Sequence, residues 1–182
     1  MEQYLDFIKE AEGLKSTQRT AWTASGRRES TAEHSWRLAL FAAVLCREFP
    51  ELDREKVMFM SLVHDLGEIY SGDISAALKP DAGQKHEQER MDVAKAVSGL
   101  PGPSGDEIKA LCEEYNEGKS PEARFVKALD KAETIIQHGQ GMNPEDFDYD
   151  FNLTYGQDYF RQDERLKRLR ELIDRDTEER MK

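Results

Sequence analysis

An adjacent histidine and aspartate, His64 and Asp65, lie in an otherwise apolar stretch of the sequence. Imidazole nitrogens and carboxylate oxygens bind borderline and harder divalent metal ions. Alone, the pair is a weak signal, because a histidine oriented by a neighbouring acid is common in proteins without a metal. Two further residues strengthen it: His34 begins the most apolar predicted helix, and Asp130 lies in another apolar run. The sequence therefore predicts one metal site formed by His34, His64, Asp65 and Asp130.

Asp130 and His34 each have an alternative interpretation. Burying a carboxylate within the apolar run 125–136 costs free energy unless a cation or strong donors meet it. A salt bridge from Lys127 or Lys131 would serve as well as a metal. His34 lies in the first turn of its helix, where the helix dipole disfavours the imidazolium and leaves a lone pair for a metal. Taken alone, it could equally be a hydrogen-bonded core histidine.

The composition narrows the choice of ion. The only two cysteines, Cys46 and Cys112, form no CxxC pair, which removes the usual structural zinc site and indicates a reducing compartment. Nitrogen and oxygen ligands suit one Mn²⁺, Fe²⁺, Co²⁺, Ni²⁺, Zn²⁺ or Mg²⁺ ion.

Two acids close to the histidine–aspartate pair are candidates for catalysis. Glu68 follows His64 by four residues and Asp65 by three, so a continuing helix would place all three on one side. Glu68 could then accept a proton from an attacking water. Asp73 could orient that water or accept a substrate hydroxyl. Because the chain has 37 acidic residues, both could instead be ordinary solvated surface groups.

The elements that must position these residues have helical spacing almost throughout, with no sustained alternation typical of a half-buried strand. The sequence predicts an all-α fold of about six to seven helices in one domain, residues 1–182. Ser30 and Glu33 have the spacing of a capping box, and Ser120 with Pro121 is typical of a helix start. The predicted helices cover approximately residues 4–14, 30–48, 54–70, 84–97, 106–117, 121–136 and the charged C-terminal segment. Residues 16–29 and 143–155 are predicted loops, and the second helix, apolar nearly all round, is predicted to be central.

The charge of the chain limits the possible partners. A net charge of −11 repels polynucleotide phosphates and argues against nucleic-acid binding, whereas a small phosphate ester needs only a local positive site. The sequence contains no apolar run long enough to span a membrane, and its acidic N-terminus shows no secretory signal. We therefore expect a cytoplasmic protein.

Several segments resemble the HD-domain metallohydrolases, and in particular the YfbR-like 5'-deoxynucleotidase branch. The histidine–aspartate pattern is shared by the whole superfamily, whereas the segments at Arg19 and at Gly72-Asp73 are narrower and indicate the branch. The matching segments are Arg19-Thr20-Ala21-Trp22, Glu29-Ser30-Thr31-Ala32-Glu33-His34, His64-Asp65-Leu66-Gly67-Glu68, Gly72-Asp73-Ile74, Glu113-Glu114-Tyr115 and Phe125-Val126-Lys127-Ala128-Leu129-Asp130.

This resemblance implies an all-helical HD fold, commonly dimeric, that releases phosphate from 5'-deoxynucleoside monophosphates. It implies that Arg19 holds the phosphate and that Asp73 contacts the sugar. Thr20 follows Arg19 where some members have a tryptophan, and Trp22 is the candidate to replace it in substrate binding.

Two other functions are compatible with the same residues. A phosphodiesterase or an alarmone hydrolase could use the same fold, because fold alone does not fix the substrate. A metal-stabilised, non-catalytic interaction module is the non-enzyme alternative. Glu68 and Asp73 favour an enzyme, since a purely structural metal site needs neither.

Overall fold

The computed structural model describes residues 1–78 and 81–182, and these are mostly helical. The helices are α1 (Glu2–Ala11), α2 (Thr31–Leu45), α3 (Arg54–Val63), α4 (Glu68–Ser71), α5 (Ala82–Ala96), α6 (Gly102–Glu117), α7 (Pro121–Gln140), α8 (Asp150–Thr154), α9 (Gln157–Phe160) and α10 (Glu164–Arg180), with 3₁₀ turns at Glu12–Lys15, Cys46–Glu48 and Ala76–Leu78. Strands β1 (Gln18–Trp22) and β2 (Arg28–Ser30) form a small antiparallel sheet.

The all-α prediction is confirmed, and the predicted helix starts have the expected capping contacts. The Ser30 side chain accepts a hydrogen bond from the Glu33 backbone N–H, and the Glu33 carboxylate accepts one from Ser30 N. The Ser120 hydroxyl caps α7, with Pro121 in its first turn. These side chains satisfy backbone donors that a helix start would otherwise leave unpaired. Local sequence therefore fixes where the two site-bearing helices begin.

The prediction of a loop over residues 16–29 is wrong, because a β-hairpin occupies this segment. Gln18 pairs with Ser30 and Trp22 with Arg28, and Gly26 in the connecting turn has φ +83°. The five residues of β1 show too little alternation to predict a strand; pairing with β2 and contact with α7 define it. Because β2 runs directly into the cap of α2 and β1 contacts α7, the hairpin holds Arg19 beside α7.

Two other boundaries differ from the prediction. The segment 143–155, predicted as a loop, contains α8, and α6 starts at Gly102 rather than Asp106. Pro101 caps α6 and Pro103 lies in its first turn, where a missing N–H costs nothing. The proline- and glycine-rich connector therefore begins a helix instead of separating two.

Helix α2 is central on one face only. Leu38 and Ala42 are fully buried, whereas the side chains of Trp36, Leu40 and Val44 are 63%, 50% and 64% exposed. The prediction that the whole apolar circumference is buried is therefore wrong.

Helix α7 is the axis of the core. It packs against α2, α3, α6 and α10, and its buried residues include Phe125, Val126, Leu129, Ala132 and Ile135. Asp130 lies in the middle of this buried stripe. Among the described residues, no helix combines the length and apolar character that a membrane span requires.

Candidate active site

The predicted histidine ligands come from two helix ends and are oriented by hydrogen bonds to Nδ1. His34 lies in the first turn of α2, where its Nδ1 bonds with the Glu133 carboxylate. His64 caps the C-terminus of α3, and its Nδ1 donates to the Ser61 carbonyl oxygen at 3.0 Å. In the neutral tautomer that carries its proton on Nδ1, each ring would present the lone pair of Nε2, which is the form that binds a metal.

The two Nε2 atoms converge with two carboxylates. The Asp65 Oδ2 atom is 3.1 Å from His64 Nε2 and 3.8 Å from His34 Nε2, and Asp130 Oδ1 is 3.2 Å from His34 Nε2. Both Nε2 atoms are buried and have no hydrogen-bond partner in the part of the chain that the structure describes. Buried polar atoms are seldom left unpaired, so this cluster has the character of a cation site. Its nitrogen and oxygen donors fit a borderline divalent ion.

The electrostatics of the cluster also favour a positive charge. Burial and the charge of Arg19 lower the pKa of His34, but the carboxylates of Glu133 and Asp130 outweigh both and raise it to about 10. Burial should raise the pKa of Asp65, yet the neighbouring histidines hold it below its ordinary value. The carboxylates therefore dominate the field at His34, and the helix dipole invoked from the sequence is the smaller effect.

Asp130 uses its two oxygens differently. Oδ2 accepts hydrogen bonds from Lys131 Nζ at 2.8 Å and from Tyr115 Oη at 2.6 Å, whereas Oδ1 faces His34. Lys127 instead places its ammonium 4.1 Å from the centre of the Tyr115 ring. The salt bridge considered from the sequence therefore forms with Lys131, and it leaves one oxygen for the cation site.

Sequence reasoning missed Glu133, which is only 1% exposed. One of its oxygens bonds with His34 Nδ1, and the other accepts a hydrogen bond from Arg37 Nε at 2.5 Å. Its spacing could have identified it, since it follows Asp130 by three residues and lies on the same side of α7. Carboxylates that bond to the second nitrogen of a metal-binding histidine commonly fix the ring orientation.

Arg19 reaches the edge of the same cluster from β1. Its Nη2 donates to Thr134 Oγ1 at 3.0 Å, its Nη1 is 3.5 Å from Asp65 Oδ2, and its Nε is 3.4 Å from Glu29 Oε2. The side chain is only 11% exposed. Three fixed contacts thus hold one guanidinium beside the histidine–aspartate cluster.

A cavity of about 170 Å³ brings the other predicted residues together. Glu68, Asp73 and Arg19 line it with His64, Asp65 and Asp130. The structure therefore places six of the eight predicted site residues in the lining of one cavity. His34 lies directly behind this lining, with its Nε2 turned towards the carboxylates.

Glu68 is nearly inaccessible. Tighter turns interrupt the α-helical hydrogen bonding between α3 and α4, where Leu66 N–H donates to Val63 O, and Glu68 is the first residue of α4 rather than part of a continuing helix. Thr31 Oγ1 donates to its Oε2 at 3.1 Å, and Lys85 Nζ is 3.8 Å from its Oε1. Burial, reinforced by the charges of Asp65 and Asp73, raises the pKa of Glu68 to about 9. A nearby cation would favour its ionised form.

Trp22 is the exception among the predicted substrate residues. Trp22 is not among the described residues that line the cavity. Its ring packs edge-on against Phe147 and lies under the Arg28 guanidinium. The structure therefore gives no support to substrate contact by Trp22.

Residues 11–170 match the HD domain family. The chain belongs to that family. This HD domain is 35% identical over 145 residues to 5'-deoxynucleotidase HDDC2 of Dictyostelium discoideum, a match that covers 75% of this chain and 76% of the relative. It is 34% identical to the human protein of the same name, over 73% of this chain and 65% of the relative.

Solved structures are similar over nearly the whole HD domain. A predicted metal-dependent phosphohydrolase from Magnetospirillum magnetotacticum MS-1 is 27% identical with a TM-score of 0.79, covering 98% of this chain and 93% of the other. A conserved hypothetical protein from Pyrococcus furiosus is 28% identical with a TM-score of 0.66, covering 94% and 98%. The fold seen here is thus shared with these solved proteins.

If the cluster binds a divalent ion, the HD domain should be stabilised by that ion. At Mn²⁺ concentrations 100-fold above the dissociation constant, the free energy of unfolding should rise by about 2.7 kcal/mol. Asp130→Asn should abolish this increase, because it removes one of the proposed ligand charges. Thermal unfolding with Mn²⁺ and after chelation measures both effects.

The matched control is Asp92→Asn, which changes another buried acid outside the cavity. This variant should keep the full response to Mn²⁺. The proposed metal site would be contradicted if no divalent ion raised the unfolding temperature of the wild-type protein. It would also be contradicted if Mn²⁺ stabilised Asp130→Asn as much as the wild type.

Proposed function

We propose that this HD-domain protein is a metal-dependent phosphohydrolase that releases phosphate from 5'-deoxynucleoside monophosphates. The proposal rests on two buried Nε2 atoms that face Asp65 and Asp130 and have no hydrogen-bond partner among residues 1–78 and 81–182, with Arg19 at the edge of the same cavity. The relatives named 5'-deoxynucleotidase support the substrate class.

In this proposal His34, His64, Asp65 and Asp130 hold one divalent ion. When bound, such an ion supplies Lewis acidity and lowers the pKa of water. The donor set is compatible with Mn²⁺, Co²⁺, Fe²⁺, Ni²⁺, Zn²⁺ or Mg²⁺ and does not by itself select one.

An anionic substrate needs a local positive site in this acidic protein, and the cavity provides one only together with a cation. Among the described residues, four basic side chains line it, Arg19, Lys85, Lys127 and Lys131, against five carboxylates, those of Asp65, Glu68, Asp73, Glu89 and Asp130. A bound divalent ion would turn this balance positive. The Arg19 guanidinium can hold two phosphoryl oxygens at once, and charge-assisted hydrogen bonds of this kind are strong. Arg19 would therefore bind the phosphoryl group and stabilise charge that develops on its oxygens.

Glu68 and Asp73 supply the remaining polar groups. Glu68 is held by Thr31 on the cavity wall and would accept the proton of the attacking water. Positive charge at the metal site favours the carboxylate form that this role requires. Asp73 lies on the same wall and would contact the sugar or orient the water.

Phosphate release tests the reaction directly. The purified protein is assayed with ribo- and deoxyribonucleoside 5'-monophosphates and with a phosphodiester, after chelation and after addition of each divalent ion. We expect metal-dependent release of phosphate, faster from deoxyribonucleotides. Cleavage of the diester alone would favour the phosphodiesterase alternative, and metal binding without hydrolysis would favour the non-catalytic module.

Replacing Arg19 with lysine should separate substrate binding from metal binding. Lysine keeps the charge but cannot form the two parallel hydrogen bonds of a guanidinium. We expect kcat/KM for nucleotides to fall by roughly 10-fold or more, as for loss of a charge-assisted hydrogen bond, with metal affinity nearly unchanged.

Arg28→Lys on the same hairpin is the control, since Arg28 is exposed and stacks on Trp22 outside the cavity. Equal losses of kcat/KM in Arg19→Lys and Arg28→Lys would count against phosphate binding by Arg19. Equal loss of metal binding and substrate binding in Arg19→Lys would also count against it.

Replacing Glu68 with glutamine should preserve the metal and remove most turnover. Glutamine is similar in size but cannot accept a proton at neutral pH, and general-base catalysis contributes about 100-fold to 10,000-fold. Metal content and kcat are measured on the same preparations, with Asp73→Asn alongside. A Glu68→Gln enzyme with full metal and full kcat would show that Glu68 is not the base.

We also propose a homodimer that covers the exposed apolar residues of α2. Trp36, Leu40 and Val44 follow one another at four-residue spacing and are all at least half exposed. Light scattering should give about twice the chain mass of 20.9 kDa. Leu40→Glu should produce a folded monomer; a monomeric wild type would overturn this part of the proposal.

Two further expectations remain proposals. Residues 1–182 would form one domain, since a single buried cluster takes residues from Leu14 to Ile173. A cytoplasmic location is supported by the two cysteines, which are both free thiols.

A further inference from the structure

The cavity continues along α7 beyond the residues assigned to metal and phosphate. Asp130, Thr134 and His138 all line it at intervals of four residues. Each interval corresponds to about 6 Å along the helix, so His138 lies about 12 Å from Asp130. Arg19 bonds to Thr134, the middle position. A phosphoryl group held between Asp130 and Arg19 would therefore leave the His138 end for the rest of the substrate.

Two aromatic rings from α8 and the residue that follows it form a wall beside α7. Phe151 and Tyr155 both line the cavity, and their rings are stacked with centroids 4.7 Å apart and an interplanar angle of 27°. The Tyr155 ring centre is 5.2 Å from Lys131 Nζ, near the metal end. Phe151 is one helical turn earlier, and its neighbour Asn152 bonds with His138. The aromatic wall therefore extends from the metal end towards His138.

The wall is held in place by the C-terminal helix. The buried Arg170 of α10 donates from Nη1 to the Tyr155 carbonyl oxygen at 2.5 Å and from Nη2 to the Asn152 carbonyl oxygen at 2.6 Å. A wall fixed in this way loses little conformational entropy when a flat ligand packs on it.

His138 adds a polar group at this end. Its Nδ1 donates to Asn152 Oδ1 at 2.8 Å, and in this tautomer Nε2 can accept a hydrogen bond. Burial lowers the pKa of His138 and so favours the neutral ring. The two ends of the cavity thus differ: charged groups surround Asp130, whereas the other end has the imidazole of His138 and Phe151, whose ring stacks on that of Tyr155.

We propose that Phe151, Tyr155 and His138 form the nucleoside-binding end of the cavity, with the aromatic wall against the base and His138 Nε2 hydrogen-bonded to the nucleoside. This inference rests on the proposed function. Aromatic stacking accepts any base because every base has a π face. The site would therefore select a nucleotide over a base-free sugar phosphate while discriminating weakly among bases.

The test compares a 5'-deoxynucleoside monophosphate with 2-deoxyribose 5-phosphate, which has the same phosphoryl group and sugar but no base. Phe151→Leu should lower kcat/KM for the nucleotide by roughly 5-fold to 100-fold, the range expected for loss of one stacking contact. For 2-deoxyribose 5-phosphate, kcat/KM should change by less than about twofold. His138→Gln should also affect the nucleotide more than the sugar phosphate.

Phe49→Leu is the matched control. The Phe49 ring packs against Phe125 with centroids 4.7 Å apart, and neither is among the described residues that line this cavity. Phe49→Leu should also destabilise the protein, but it should keep the preference for nucleotides. If Phe151→Leu does not fold, Phe151→Tyr replaces it; this variant retains a π face and must keep the preference for the nucleotide over the sugar phosphate. His138→Gln then provides the comparison between the two substrates.

The possible outcomes separate this inference from the proposed function. The assignment of the nucleoside end would be wrong if Phe151→Leu and His138→Gln both left kcat/KM unchanged, or both lowered it equally for the two substrates. Either result would leave the proposed phosphohydrolase activity intact. A wild type that hydrolyses both substrates equally well would have the same two consequences. A wild type that hydrolyses no nucleotide would overturn the proposed function, and the inference with it.

Discussion

Two buried imidazole nitrogens, Nε2 of His34 and Nε2 of His64, face the carboxylates of Asp65 and Asp130 at 3.1 to 3.8 Å, in a cluster whose donor atoms a divalent cation would satisfy. The histidines have no other partner for Nε2 in the described part of the chain, and the Asp65 and Asp130 carboxylates would repel one another in a medium of low dielectric. This constraint explains why the four side chains come from α2, from the end of α3 and from α7. Assembling the cluster requires the core to pack correctly, so binding of an ion there is coupled to folding.

Helix α7 links this constraint to recognition of a substrate. The same helix supplies Asp130, the Glu133 carboxylate that orients His34, and the Thr134 hydroxyl that fixes Arg19. Because these residues lie within about one turn of one another, a shift of α7 would move the metal site and the phosphate site together. His138, two turns beyond Asp130, extends this alignment to the proposed nucleoside end. A rigid central helix is therefore well suited to hold one substrate at several points.

Local signals made the helical fold and much of the site predictable. Capping by Ser30 and Ser120 fixed the starts of α2 and α7, and the apolar context of Asp130 identified an acid that needs a partner. The structure brings the four proposed ligands together, although the ion itself stays a prediction. The hairpin at residues 18–30 was missed because its pairing is decided by tertiary contact rather than by residue pattern. Contacts between distant segments, such as Arg170 with α8 or Glu133 with His34, have no local signature in a single sequence.

The most direct test of the account is the position of a divalent ion in crystals grown with Mn²⁺, located by anomalous diffraction. The account predicts one strong peak coordinated by Nε2 of His34, Nε2 of His64 and carboxylate oxygens of Asp65 and Asp130, at roughly 2.0–2.3 Å, the range typical of nitrogen and oxygen ligands of borderline divalent metals. A Mn²⁺ ion bound only at other residues, or a cluster in which the four side chains bond with one another and exclude the ion, would contradict it.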